Sequence, residues 1–475
     1  MEPMRKKAVK VTFVQAKAVW ILPILLGTAF CFYYLSLAAD NVAFSDYVRL
    51  INSYLPDVGN PAKFFVPDIL TRVPITYLGR IINVKLLGYN TFFDMALGVL
   101  GLGLGAAALS VYAGKEKKIS YPWYLMILFV YFSLNKWEML INGSGWAHFL
   151  AFAGFYYHYL VMDRLWTGDE KPGDRKLLVI LPFARTILTA GPYCAVYSVV
   201  VMMAYGFMAI LDYRKTKRLE KTYLLYALCT LAALLLYMWS NSLTVEDHAA
   251  AAEVGLFTQL TQTPGFFVRF ILISFSSMVV GIEEAIAAFK GNIVPFAVLG
   301  LLVIAAYLYA LYLNFRYRLY EKSMVPLILI VSGGLNHVLI LLSRWIFLVD
   351  DYGASSRYAL QFQAGIFGII LTFALCRNEM VTNKKAREKY RRFSAVAVVF
   401  CLLFLAGNAY TTYHELKKAP NRKETFEIRA QMALNFEEMT DEELRAGFEY
   451  RTTRPESGAQ IREARTILKD NGWGV

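Results

Sequence analysis

Blocks of mostly apolar residues, many near the roughly 20 needed to cross a bilayer as a helix, alternate along this chain with short polar stretches. The blocks fall at 18–38, 91–113, 121–136, 147–162, 177–190, 191–211, 222–240, 293–314, 324–348, 357–376 and 393–410, which predicts eleven membrane-spanning helices. The stretch 177–211 is too long for one helix, and Gly191-Pro192 supplies a break between two. Segment 266–289 is apolar enough to span but carries Arg269, Glu283 and Glu284. A re-entrant or interfacial path for it keeps Arg316, Arg318 and Lys322 on the same side as the other basic loops. The expected fold is therefore all-α: a polytopic bundle of about eleven spans, with interfacial helices and a small helical C-terminal tail.

Charge orients this bundle. The N-terminus and the segments 114–120, 163–176, 212–221, 315–322 and 377–392 together hold 27 Lys and Arg, whereas 39–90, 137–146, 241–292 and 349–356 hold 7. Cytoplasmic loops collect Lys and Arg, so the first set is expected inside and the second outside. That places the N-terminus in the cytoplasm and the C-terminus beyond the outer face. The division is residues 1–410 as a membrane domain and 411–475 as an outer tail. The tail has 11 basic and 12 acidic residues, and Thr440 with Glu443 marks a capped helix start within it. Pro74 to Leu87 in the first outward loop reads as an amphipathic interfacial helix.

Composition narrows the function classes. Apolar residues make up 57% of the chain and charged residues 18%, which excludes one large soluble core. The net charge of +13 follows the loop pattern, so it signals orientation and contact with the lipid bilayer, with no nucleic acid as partner. All five cysteines lie in apolar segments without CxxC pairing, which argues against a disulfide framework. Gly98, Gly101, Gly103 and Gly105 lie in one apolar helix, where close helix packing explains them better than nucleotide binding. His148, His158 and His337 lack metal-motif spacing and read as core hydrogen-bonding groups. The triplet Glu246-Asp247-His248 cannot aim three ligands at one ion from regular structure, so no metal ligand is assigned and metal dependence stays open.

Candidate chemistry concentrates in the outward loops. Asp40 and Asp46 flank the loop after the first helix, where a carboxylate at the membrane surface can act as general base on a hydroxyl. The alternative is a solvated acid beside interfacial aromatics. Arg72 either clamps a phosphate or anchors the start of the interfacial helix by snorkelling. Trp137 and Glu138 stand in a polar turn between two apolar helices, fit either to line a sugar site or to belong to an interfacial belt. Asn142-Gly143-Ser144 matches a glycosylation sequon in that tight turn. Arg185 and Arg344 fall within or near spans, where charges face a cavity or a partner. Arg357 sits at the outer mouth of its helix, placed for a lipid phosphate or for an ion pair with Asp350 or Asp351.

Taken together, Asp46-Tyr47, Arg72-Val73-Pro74, Leu86-Leu87-Gly88-Tyr89-Asn90, Trp137-Glu138 and Ser356-Arg357-Tyr358 resemble the motifs of bacterial membrane proteins of the GT-C glycosyltransferase type. Many relatives carry a second acid before the aromatic and a His before the Arg; here Ser45 and Thr71 stand there. The resemblance implies transfer of a sugar from a polyprenyl-phosphate donor to an envelope glycan or lipid acceptor, on the outer face of a bacterial plasma membrane. In that picture Asp46, with Asp40 in reserve, is the base. Arg357 and Arg72 hold the lipid phosphate. Glu138, Trp137 and Tyr358 bind sugar or acceptor. Two other readings stay open: a transporter or flippase for lipid-linked glycans, and a non-catalytic scaffold for envelope assembly.

Overall fold

The computed structural model describes residues 2–62, 74–116, 119–189, 191, 193–242, 252–382, 387–452 and 454–474. Among the described residues every regular element is helical. The first group is α1 (Glu2–Ala38), α2 (Asp46–Tyr54), α3 (Pro74–Leu87), α4 (Thr91–Ser110), α5 (Tyr121–Tyr131), α6 (Trp137–Ile141), α7 (Trp146–Thr167) and α8 (Asp174–Phe183). Next come α9 (Cys194–Thr216), α10 (Lys221–Asn241), α11 (Leu256–Gln262), α12 (Pro264–Ser276), α13 (Ile282–Ala288) and α14 (Ile293–Arg316). The chain closes with α15 (Val325–Arg344), α16 (Ala359–Thr382), α17 (Arg387–Leu434), α18 (Asp441–Phe448) and α19 (Ser457–Asp470).

Nine segments among the described residues are long and apolar enough to cross a bilayer: those of α1, α4, α5 with α6, α9, α10, α14, α15, α16 and α17. The chain is a multi-pass membrane protein. Two further expected spans correspond to α7 and α8. Helix α7 is long enough but carries His148, His158 and three tyrosines, and it is mostly buried inside the bundle. Helix α8 covers ten residues and continues as a π-helical turn, Ala184–Thr189. Helices end and restart around Gly191, as the Gly-Pro break predicts. Segment 266–289 is two short helices, α12 and α13, neither of spanning length.

The apolar pattern explains the packing. Helix α16 is buried along its apolar stretch and forms the centre of the bundle, while α1 turns Leu22, Leu25 and Leu26 outward. Helices α4 and α7 meet through small residues. A Cβ at Gly101 would lie 3.0 Å from the Leu150 backbone nitrogen, and one at Gly105 would lie 2.0 Å from the Tyr131 hydroxyl. The glycines thus serve close helix approach, as their spacing suggests.

Contacts sort the loops into two sets. At one end Arg164 pairs with Asp174, Trp166 donates to the Tyr320 carbonyl, and Lys215 pairs with Glu321. These are the loops rich in Lys and Arg. At the other end Arg357 pairs with Glu138, Arg269 with Asp350, and Lys418 with Glu283 and Glu284. The C-terminal helices join this second end. The Ser45 amide donates to the Phe448 carbonyl at 2.8 Å, and Asn52 donates to the Gln460 carbonyl at 2.9 Å. Helix α17 has 48 residues, about 72 Å at 1.5 Å per residue, so it reaches well past a hydrocarbon core of about 30 Å. Beyond it α18 opens on the expected capping box: the Thr440 hydroxyl accepts from the Glu443 amide, and the Glu443 carboxylate accepts from the Thr440 amide at 2.7 Å.

Candidate active site

Asp46 is the first residue of α2, and the turn before it is unusual. Ser45 has φ 52° and ψ −125°, a conformation rare for a residue with a side chain. Its amide is held by the Phe448 carbonyl, so the C-terminal helices fix the backbone from which Asp46 projects. On the following residue the Tyr47 hydroxyl donates to the buried Asp94 carboxylate at 3.1 Å, and Asn83 donates to the other Asp94 oxygen at 3.3 Å. Burial, then the neighbouring Asp94 charge, pushes the Tyr47 phenol well above its ordinary range, so Tyr47 stays a neutral donor. Helices α3, α4 and α18 thus converge to set the start of α2.

Asp46, Glu138, Arg357 and Tyr358 line one cavity of about 200 Å3. Asp46 is close enough to Arg357 and His148 to act on both electrostatically. Glu138 braces Arg357: its carboxylate pairs with the guanidinium and accepts from the Ser356 hydroxyl at 3.0 Å. Tyr358 accepts from Arg344 Nε at 3.0 Å. The ion pair between Arg357 and Asp350 or Asp351, the alternative to a phosphate ligand, does not form. Asp350 instead takes Arg269, with Nε to Oδ2 at 2.7 Å and Nη2 to Oδ1 at 3.2 Å, because α12 runs beside the 345–358 stretch.

Other expected residues lie elsewhere. Asp40 is exposed, accepts from the Asn41 amide at 2.7 Å, and does not line this cavity. Trp137 faces a neighbouring cavity of about 400 Å3, with the Arg422 guanidinium 3.2 Å above its ring. Arg72 and the triplet Glu246-Asp247-His248 lie outside the described residues. Asn142 is buried, and its side-chain oxygen accepts from the Ser144 hydroxyl at 2.6 Å, so the folded chain does not present the sequon.

Several lining residues escaped the sequence reading. Arg80 comes from α3 and is buried, with its Cζ 4.4 Å from the Tyr54 ring centroid. Arg49 comes from α2, one turn beyond Asp46. His148 lines the cavity with its ring against Tyr193, centroids 4.6 Å apart. It is not the core hydrogen-bonding group expected, a role His158 and His337 do fill through Tyr197 and Ser274. The i, i+3 spacing of Asp46 and Arg49 was the one available signal, since it places both on one helix face.

The lining therefore holds four arginines, Arg49, Arg80, Arg344 and Arg357, against two carboxylates, Asp46 and Glu138. Such a site favours an anion, and guanidinium forks match phosphate oxygens. Its volume is below the roughly 300 Å3 at the low end of ligand pockets, so it suits a headgroup rather than a whole lipid. A separate carboxylate cluster places oxygens of Glu283, Glu284 and Glu415 within 4.8 Å of one another. Lys418 meets Glu283 and Glu284 at 2.9 and 2.7 Å, and Arg422 pairs with Glu283 and Glu415. Two protein cations, Lys418 and Arg422, thus pair with all three acids, leaving one formal negative charge over. The chain matches no protein-family profile, no curated protein and no solved structure.

Proposed function

We propose that this protein is a membrane glycosyltransferase of the GT-C type, moving a sugar from a polyprenyl-phosphate donor to an envelope acceptor outside a bacterial plasma membrane. The observation that carries this reading is the gathering of Asp46 and four arginines around one headgroup-sized cavity. Arg357 and Arg344 bind the donor phosphate, and Arg80 adds positive charge across the cavity. Asp46 accepts the proton of the acceptor hydroxyl as its oxygen bonds to the anomeric carbon. The bond from that carbon to the phosphate oxygen breaks, and the polyprenyl phosphate leaves with the electron pair, stabilised by the arginines. Glu138 acts mainly through Arg357, which it orients.

Binding tests this reading. A photoactivatable polyprenyl phosphate is incubated with the purified chain in lipid nanodiscs, and labelled peptides are mapped by mass spectrometry. Labelling within 46–50, 138–148 or 344–358 is expected, falling sharply in Arg357→Ala. Labelling confined to other regions would overturn the assignment of the cavity.

A further inference from the structure

Arg185 is a charged side chain that the Asp46 cavity leaves unused. It stands in the π-helical turn that continues α8, about 16 Å along the helix from Asp174 at 1.5 Å per residue. Single π-helical turns are frequent at functional sites. Room for the side chain is built into the facing helix. A Cβ at Gly154 would fall 2.4 Å from Arg185 Cδ and 2.6 Å from its Cζ. The Nε of Arg185 is buried without a hydrogen-bond partner, and among the described residues no carboxylate pairs with it. A cation at that depth is costly unless something neutralises it.

What lies beside Arg185 indicates what that is. It lines an open groove of about 540 Å3 between α4, α7 and α8, and this groove shares no lining residue with the Asp46 cavity. The walls are mostly apolar, with Leu104, Leu150, Leu160 and Leu177 among them. At the far end the Arg164–Asp174 pair closes on itself, with hydrogen bonds of 2.7 and 2.6 Å. The groove thus offers one carboxylate against three basic side chains, beside hydrocarbon walls.

We propose that this groove binds one anionic phospholipid from the surrounding bilayer, its phosphate on the Arg185 guanidinium and its acyl chains along Leu104 and Leu150. Positive charge selects the phosphate, since a guanidinium presents paired donors to its oxygens. The apolar walls select the chains. This site goes beyond the proposed sugar transfer and stands whether or not the Asp46 cavity performs it.

The test uses the full chain, purified and delipidated in detergent, titrated with phosphatidylglycerol or phosphatidylcholine and read by native mass spectrometry. One phosphatidylglycerol is expected to stay bound, with phosphatidylcholine held far more weakly. Arg185→Gln should weaken phosphatidylglycerol binding about tenfold or more, the scale of one charge-assisted hydrogen bond. Leu150→Trp, which keeps the charge and fills the groove, should weaken it as well. Equal retention of the two lipids by the wild-type chain overturns the proposal, even if neither variant folds. So does unchanged retention of phosphatidylglycerol by Arg185→Gln or Leu150→Trp.

Discussion

Arg429 ties the C-terminal helices to the loop that carries Asp46, and Arg429→Ala should release them. The side chain is 5% exposed. Its Cζ lies 4.3 Å from the ring centroid of Phe44 and 5.8 Å from that of Phe426. Nε donates to the Gly447 carbonyl at 2.9 Å, and the guanidinium pairs with Glu449. Truncation removes a charge-assisted hydrogen bond worth roughly 1.5–3 kcal/mol. It also removes a cation–π contact worth about 1–2 kcal/mol in a desolvated position. The Glu449 side chain is 57% exposed, so that pair adds under about 1 kcal/mol. After relaxation a local loss of about 3 kcal/mol is expected, which raises the open population of the tail about a hundredfold. Hydrogen-exchange mass spectrometry in detergent reads this directly. Peptides covering 40–50 and 441–470 should exchange faster together, because the Ser45 amide bonds to the Phe448 carbonyl. The central helix 359–382 should not change. Unaltered exchange in both segments would refute the coupling.

Three further outcomes are expected. Glu138→Gln removes the charge-assisted pair that orients Arg357 while keeping its shape, so polyprenyl phosphate should bind severalfold more weakly in a titration; equal or tighter binding would contradict the bracing role. At Asp174 burial pushes the carboxyl up, but hydrogen bonds from Arg164 and the Lys171 amide outweigh it and hold the group below its ordinary 3.8. The folded value is depressed, so this stabilisation is present at neutral pH and lost as pH falls through that folded value. Thermal melting of Asp174→Asn should therefore be lower at pH 7 and less sensitive to acid than wild type; parallel acid dependence would count against it. At Gly300 a Cβ would sit 1.9 Å from the Leu272 carbonyl oxygen, so Gly300→Ala should cost about 1–3 kcal/mol. A wild-type melting temperature would contradict the close packing of α12 on α14.

Much of the architecture was legible because apolar block length and loop charge answer directly to the bilayer. The two-sided sorting of loops, the break near Gly191 and the cap at Thr440 could all be read along the chain, while 266–289 was read only as a segment that does not cross. Helix α7 shows the limit of that reading. Its histidines and tyrosines lower its hydropathy because it faces protein, so its course depends on tertiary packing rather than on lipid. The candidate site was half legible. Asp46, Glu138, Arg357 and Tyr358 stand beside helix ends, where outward polar residues are conspicuous. Arg80 and His148 were not, since each is one of several polar residues in its helix and only the packing of α3 and α7 brings them to one cavity. Lys136 was equally hidden: it is fully buried, donating to the Tyr131 and Ser133 carbonyls at 2.6 and 2.9 Å. Of the two readings left open for Arg357, the ion pair with Asp350 or Asp351 rested on sequence proximity alone, whereas the fold places Glu138 beside it.

The most direct test of the central claim is mass spectrometry of lipid-linked and envelope glycans from cells lacking this protein, complemented with wild type, Asp46→Asn or Asp40→Asn. Wild type and Asp40→Asn should restore a missing sugar, while Asp46→Asn at equal membrane level should leave its lipid-linked donor unused. Full restoration by Asp46→Asn would show that the carboxylate in the cavity is not the base, and with it the transferase account would fall.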